Sequence, residues 1–253
     1  MALQTVAEVQ PKHIFELEHE EARQIQRSLL PAGPLLGGSF EICYRFAPYG
    51  EVGGDFADFF NMPDGRIGLY VGDVVGKGLP AAMYGALVMG MMRGIHKAEE
   101  NTAGALALLN RRLIVRPVPG RYCATLYALY DPVTRQLMFS NAGLPHPVLV
   151  SADGCRRLGS GGFPSGLFPE ATYDLDRVQL EPGDAVLFAT DGLHELRDFE
   201  DRDFSWDKLA EIWKECRGKP AQESLDLLFD GAVRFAQNGQ QNDDITAVVL
   251  MAR

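Results

Sequence analysis

Four aspartates in this chain stand where short apolar runs meet glycine. Asp55 follows Gly53-Gly54, Asp73 follows Gly72, Asp191 precedes Gly192, and Asp243 opens an Asp-Asp pair before the closing run Ile245 to Met251. Carboxylates are hard oxygen ligands, and a neighbouring glycine lets backbone carbonyls and water approach where a side chain would block them. Two ionised carboxylates about 5 Å apart repel by roughly 3 kcal/mol at an effective dielectric near 20, so four gathered at one sheet edge would be unstable alone. Divalent cations would reverse that penalty. With carboxylate, carbonyl and water oxygens and no organised His or Cys set, the ion selected is Mg²⁺ or Mn²⁺. A pair of ions bridged by one aspartate would lower the pKa of a water between them and supply a hydroxide for in-line attack on phosphorus. Each carboxylate also has a plainer reading. Asp64 in Pro63-Asp64-Gly65 is a turn residue, Asp191 before glycine fits a turn as well, and Asp243 or Asp244 could simply blunt a strand edge. Spacing alone does not bring positions 55, 73, 191 and 243 together.

The elements that must position these residues follow from periodicity. The stretch Gly53 to Gly78 reads as a β-hairpin turning at Pro63-Asp64-Gly65, which would set Asp55 beside Asp73. Before it, residues 1–12 show no pattern and are expected to be a disordered lead. His13 to Leu30 is an amphipathic helix with Phe15, Ala22, Ile25 and Leu29 on its apolar side. That helix either lies on the domain or self-associates to join two copies of the chain. Pro31 and Pro34 end it, leaving residues 13–34 as a linker and 35–253 as the main domain. Phe40 to Ala47 alternates as a strand. Leu79 to His96 is a helix apolar nearly all round, with Met83, Leu87, Met91 and Ile95 down one side, and is expected to be buried and closely packed. Its interior glycines must be offset by close packing or serve movement. Ala103 to Ile114 is a second helix with a polar side at Asn110-Arg111-Arg112. Strands are then expected at 122–130, 136–141, 148–150, 177–180 and 185–190, helices at 206–216 and 222–237, and a fully buried strand at 245–251. Hairpin-linked strands interrupted by helix pairs point to antiparallel sheets with helices outside, an α+β class.

Composition removes several function classes. With 34 Asp and Glu against 24 Lys and Arg, and no basic cluster, the net charge of -10 argues against nucleic acid as a partner. The most apolar segment, Leu79 to Ile95, is interrupted by glycines and Arg93, which argues against a membrane span, and the N-terminus lacks a signal-peptide pattern. Cys43, Cys123, Cys155 and Cys216 are widely spaced and read as buried free thiols, consistent with a cytoplasmic setting. Gly53-Gly54-Asp55-Phe56 lacks the glutamate of a nucleotide-cyclase signature. Gly72 to Gly78 has three residues, one short of a P-loop, before Gly76-Lys77, and glycine where the P-loop hydroxyl belongs.

The phrases EVGGDFADFF, GDVVGKGLPAAM, FSNAGLPHPVLV, LFATDGLHEL and NDDITAVVL occur in that order, preceded by IQRSLLP. As an ordered set they resemble the SpoIIE/RsbU branch of the bacterial metal-dependent Ser/Thr phosphatases, the PPM or type 2C class, over about residues 22 to 252. The resemblance implies a four-layer αββα sandwich of two antiparallel sheets flanked by helices, with two Mn²⁺ or Mg²⁺ ions at one edge. It implies that Asp73 bridges both ions, that Asp55 and the Val74 carbonyl serve one, and that Asp191 and Asp243 serve the other, with Asp243 preferred to Asp244. Asp58 fits a supporting acidic position. The implied substrate is phosphoserine or phosphothreonine on a small STAS-domain anti-anti-sigma factor, and the implied control runs through the linker helix and a mobile helix pair that includes Leu79 to His96. This chain departs from the pattern at Leu144, with a histidine appearing instead at His146, and at Ser165 and His194; these bear on substrate choice. Arg45 and Lys77 read as surface or packing residues. The rival reading is a catalytically silent module of the same fold that binds a signalling partner, and hydrolysis of a small phosphorylated metabolite is a third.

Overall fold

Eleven strands, each pairing antiparallel to its neighbours, form two sheets in the computed structural model, which describes residues 11–96, 101–236 and 241–253. The six-stranded sheet runs β1 (Leu35–Leu36), β2 (Phe40–Ala47), β11 (Ile245–Ala252), β10 (Ala185–Ala189), β7 (Val148–Ser151) and β8 (Gly154–Arg157). The five-stranded sheet runs β3 (Phe56–Asn61), β4 (Ile67–Val74), β5 (Cys123–Asp131), β6 (Gln136–Ala142) and β9 (Asp176–Gln179). Their facing sides interdigitate Ile42, Val71, Leu126, Phe139, Val186, Phe188 and Val248 into a central core. On the outer face of the five-stranded sheet lie α2 (Gly78–Ile95) and α3 (Thr102–Val115), around Tyr70, Tyr127, Met92 and Leu106. On the outer face of the other lie α4 (Trp206–Lys214) and α5 (Ala221–Ala236), around Trp213, Leu225, Leu228 and Val249. This is the expected α+β, four-layer αββα sandwich. Strand β11 is buried at all eight positions, as its unbroken apolar run requires when both faces are covered.

The N-terminal helix α1 spans Pro11–Leu29, so Pro11 and Lys12 belong to its first turn and not to a lead; proline suits that place because its missing N–H would be unpaired there anyway. Residues 1–10, the side chain of Phe15 and the expected last residue of α5, Gln237, lie outside the described residues. The β3–β4 turn is also built differently from a two-residue hairpin. Met62 and Arg66 pair, Gly65 N–H donates to the Met62 carbonyl, and positive φ falls on Gly65 alone, at 87°. The short strands β1 and β8 were not foreseen from periodicity.

Two side-chain expectations are corrected. In α2 the buried side is Ala81, Tyr84, Gly85, Val88, Met89, Met92 and Ile95, whereas Met83 is 68% and Leu87 45% exposed. Gly85 lies on that side, where a Cβ would stand 3.1 Å from the Gly54 carbonyl oxygen, so glycine suits the close approach of α2 to the loop before β3. In α3, Asn110 is buried and not on a wet face. Its amide donates to the Phe168 carbonyl at 2.9 Å and its oxygen accepts from Gly166 N–H at 2.7 Å, holding the 164–168 loop. The four thiols are free; Cys155 is only partly buried, the other three fully.

Candidate metal centre

Register carries the acidic residues to one end of the sandwich. Phe56 pairs with Gly72, so Asp55 continues the ladder opposite Asp73. Ile245 pairs with Ala47 and Ala247 with Ala189, which places Asp243 just before β11 and Asp191 just after β10 at a common edge. Asp191 opens a single 3-10 turn, Asp191–Leu193, and its carbonyl accepts from His194 and Glu195 N–H. Gly192 is required there, because a Cβ would fall 1.9 Å from the Asp244 carbonyl oxygen. Asp73, the Val74 backbone, Asp191 and Asp243 then line one cleft of about 250 Å³ together with Gly76, Tyr122 and Gly143.

Asp55 stands behind this cleft, 2% exposed, and ties the two sheets together: its Oδ2 accepts from the Thr190 hydroxyl at 2.7 Å, and Thr190 Oγ1 in turn accepts from Thr246 N–H at 2.9 Å. Burial, then the Asp73 charge, hold the Asp55 carboxyl well above the ordinary carboxylate range. Burial, followed by the charges of Asp191 and Asp243, pushes Asp73 up to about 7. Burial, Glu195 and Asp243 raise Asp191. These shifts share a direction because the carboxylates crowd one another in a half-dry place, and a divalent cation is the partner that would relieve them.

Asp243 and Asp244 divide. Asp244 is 3% exposed and accepts from Tyr49 N–H at 2.7 Å and Gly54 N–H at 2.6 Å, pinning the loop that leads to Asp55. Asp243 faces the cleft and pairs with Lys77 Nζ at 2.9 Å. Lys77, read from sequence as a surface or packing residue, is thereby part of the centre. Arg45 is a packing residue as expected, stacked 4.4 Å over the Phe229 ring. Asp58 gives its carboxylate to Arg93 Nε at 2.9 Å and the Tyr70 hydroxyl at 3.0 Å, while Arg93 also donates to the Leu29 carbonyl at 2.6 Å, so it joins β3, α2 and the end of α1. His146 bonds the Leu158 carbonyl at 3.2 Å and lines a neighbouring cleft with His194, which also lines a cleft with Asp191.

Sequence reasoning missed Thr190, whose signal was its place directly before Asp191-Gly192, and Gln26. The Gln26 amide exchanges two hydrogen bonds with the Gly53 backbone, at 2.7 and 3.1 Å, so α1 grips the loop next to Asp55.

The donors fit hard divalent ions: all are oxygens, they sit at the ends of different strands, and their raised pKa values mark unbalanced negative charge. Among the described residues no three acidic, histidine or cysteine side chains already converge on one point. Asp55 Oδ2 accepts from Thr190 and Asp243 Oδ2 pairs with Lys77.

Comparison with known proteins agrees with this architecture. The family model described as Stage II sporulation protein E (SpoIIE) matches residues 63–253. Protein IcfG of Synechocystis sp. (strain ATCC 27184 / PCC 6803 / Kazusa) is 26% identical over 265 residues, spanning 94% of this chain and 42% of IcfG. Phosphoserine phosphatase RsbU of Bacillus subtilis (strain 168) is 25% identical over 235 residues, spanning 92% of this chain and 69% of RsbU. The solved SiaA-PP2C domain of Pseudomonas aeruginosa shares the fold, with a TM-score of 0.84 at 20% identity over 95% of this chain and 98% of that domain.

Proposed function

The chain belongs to the SpoIIE family, and from that membership, joined to the acidic cleft at its sheet edge, we propose that it is a Mn²⁺- or Mg²⁺-dependent protein serine/threonine phosphatase. The observation that carries this reading is the meeting of Asp73, Asp191 and Asp243 from separate strand ends on one cleft, with Asp55 directly behind. Asp55, Asp73, the Val74 carbonyl, Asp191 and Asp243 are the proposed ligands of two ions. When bound, such ions supply an acidic water as nucleophile and balance the charge of a phosphoryl group.

The chain's own residues do the rest. Asp73 feels the charges of Asp191 and Asp243, with which it shares the cleft, and stands opposite Asp55 in the β3–β4 register, so it would be the residue to serve both ions. Thr190 holds the Asp55 carboxylate across the gap between the sheets. Gly54 leaves room for the Val74 carbonyl, from which a Cβ would stand 2.8 Å away. Asp244 keeps the 49–54 loop seated through two backbone N–H groups.

The substrate in this reading is phosphoserine or phosphothreonine on a small STAS-domain protein; the resemblance to the SpoIIE/RsbU branch suggests the STAS protein, and RsbU's description as a phosphoserine phosphatase supports the phosphoserine. Residues 13–34 act as linker and 35–253 as the catalytic domain, with α1 also the segment through which two copies would pair, since Leu17 and Ile25 remain exposed on it. Among the described residues no helix is long and apolar enough to cross a membrane, and with free thiols a cytoplasmic site of action fits.

Release of phosphate from an aryl phosphate, with and without Mn²⁺, tests catalysis, with Asp73→Asn as control. Turnover that needs Mn²⁺ and is lost in the variant is expected; equal rates in both proteins, or none in either, would leave the silent binding module. Comparing a phosphorylated STAS protein with small phosphates then tests the substrate class, and a preference for the small phosphates would refute the protein substrate.

A further inference from the structure

Lys77 sits between two glycines held at positive φ, Gly76 at 94° and Gly78 at 67°, in extended backbone immediately before α2, where it makes no capping bond through its side chain. That geometry throws its side chain across the edge of the sandwich to the turn before β11. There Nζ pairs with Asp243 Oδ2 at 2.9 Å, donates to the Asn242 carbonyl, and lies 5.0 Å from the centre of the Tyr49 ring. Among the described residues this is the ion pair that reaches the set Asp55, Asp73, Asp191, Asp243 and Asp244. The ammonium is tethered by a flexible stem and its side chain is 44% exposed, so it can swing away from Asp243, Asn242 and Tyr49 without disturbing the buried core.

We propose that Lys77 is an internal counter-cation: it occupies Asp243 while the centre is empty and is displaced when a divalent ion takes that carboxylate. The inference rests on the metal-centre reading above and adds to it a residue that sets how tightly the ions are held. A tethered positive charge lowers repulsion among the carboxylates in the empty protein. The same charge opposes the incoming ion, first by competing for Asp243 and then by repulsion at close range. Lys77 therefore stabilises the empty state at the expense of metal affinity.

A purely structural lysine behaves differently, and the two roles separate by sign. The full chain is compared with Lys77→Met and Lys77→Arg by titration calorimetry with Mn²⁺ and by thermal melting in chelator. Lys77→Met is expected to melt lower than wild type in chelator yet bind Mn²⁺ about five-fold more tightly, the scale of one exposed ion pair of ordinary strength. Lys77→Arg, which keeps the charge, is expected to stay within about two-fold of wild type on the same scale. If Lys77 merely staples the loop, Lys77→Met loses stability and Mn²⁺ affinity together, and that result overturns the proposal, as does unchanged affinity. If wild type itself binds no Mn²⁺, the metal-centre reading falls and this proposal with it; binding by wild type with no gain in Lys77→Met overturns the proposal alone.

Discussion

Replacing Asp73 by Asn should make the metal-free protein more stable, the opposite of what most substitutions do. In the folded chain the Asp73 carboxyl is raised from an ordinary 3.8 to about 7, by burial first and by Asp191 and Asp243 next. A carboxyl raised on folding binds its proton more tightly in the native state, so its native form is unpenalised below about pH 4 and loses stability as pH climbs toward about 7. At ~1.36 kcal/mol per tenfold change, the span from 3.8 to about 7 amounts to about 4 kcal/mol in the fully ionised state. Asparagine keeps the shape and discards the charge, so Asp73→Asn should regain about 2–4 kcal/mol above pH 8, or about 5–15 °C in melting temperature for a chain of this size. The two proteins should converge as pH falls to about 4. Mn²⁺ at about 1,000 times its Kd should then reverse the order, because it adds about 4.1 kcal/mol only to the protein that can hold it. Thermal melts in chelator and in Mn²⁺, taken across pH, measure both halves. If Asp73→Asn melts below wild type in chelator at high pH, or gains as much from Mn²⁺, the carboxylates do not crowd one another and the centre is wrongly drawn.

Gly192→Ala places a Cβ 1.9 Å from a backbone oxygen of Asp244, so the turn bearing Asp191 must shift; a loss of about 3 kcal/mol in urea unfolding, with weaker Mn²⁺ binding, is expected. Gln26→Ala removes both hydrogen bonds to Gly53, which should destabilise the docked α1 by about 1–2 kcal/mol and show as faster proteolysis near α1, while leaving the core unfolding transition in place. Of the adjacent pair, Asp244→Asn should reduce stability through the lost anchoring of Tyr49 and Gly54, whereas Asp243→Asn should chiefly reduce Mn²⁺ affinity in calorimetry; a reversal of these two outcomes would exchange their roles.

Strand order aside, most of the sandwich was legible because its strands alternate or run wholly apolar between clear turns, as in Phe40–Ala47 and Ile245–Ala252. The face of α2 was not. A helix that is apolar all round carries no direction in its own periodicity, and the choice falls to partners distant in sequence, among them the Gly54 carbonyl close to Gly85. Asn110 misled for a related reason: beside Arg111 and Arg112 it looks like solvent-facing helix, but the 164–168 loop offers it one donor and one acceptor, and a buried amide so paired carries little penalty. The aspartates were visible as residue types beside glycines, while their meeting depended on the registers β3 to β4 and β10 to β11 to β2, which no local pattern specifies.

The Asp243-Asp244 pair shows how one sequence feature yields two functions through backbone geometry. Just ahead of β11, at a bend on Asp243, the two side chains part: the N–H groups of Tyr49 and Gly54 meet the Asp244 oxygens, and Asp243 reaches the cleft and Lys77. Hydrogen bonds from neutral amides satisfy the first carboxylate without needing a cation, so it can fix the loop in every state of the protein. The second is paired with the Lys77 ammonium, and in the proposed metal centre a partner that can leave is what a ligand position requires. A single buried carboxylate could not serve both ends, because the bonds that would hold the loop would occupy the oxygens a metal must take.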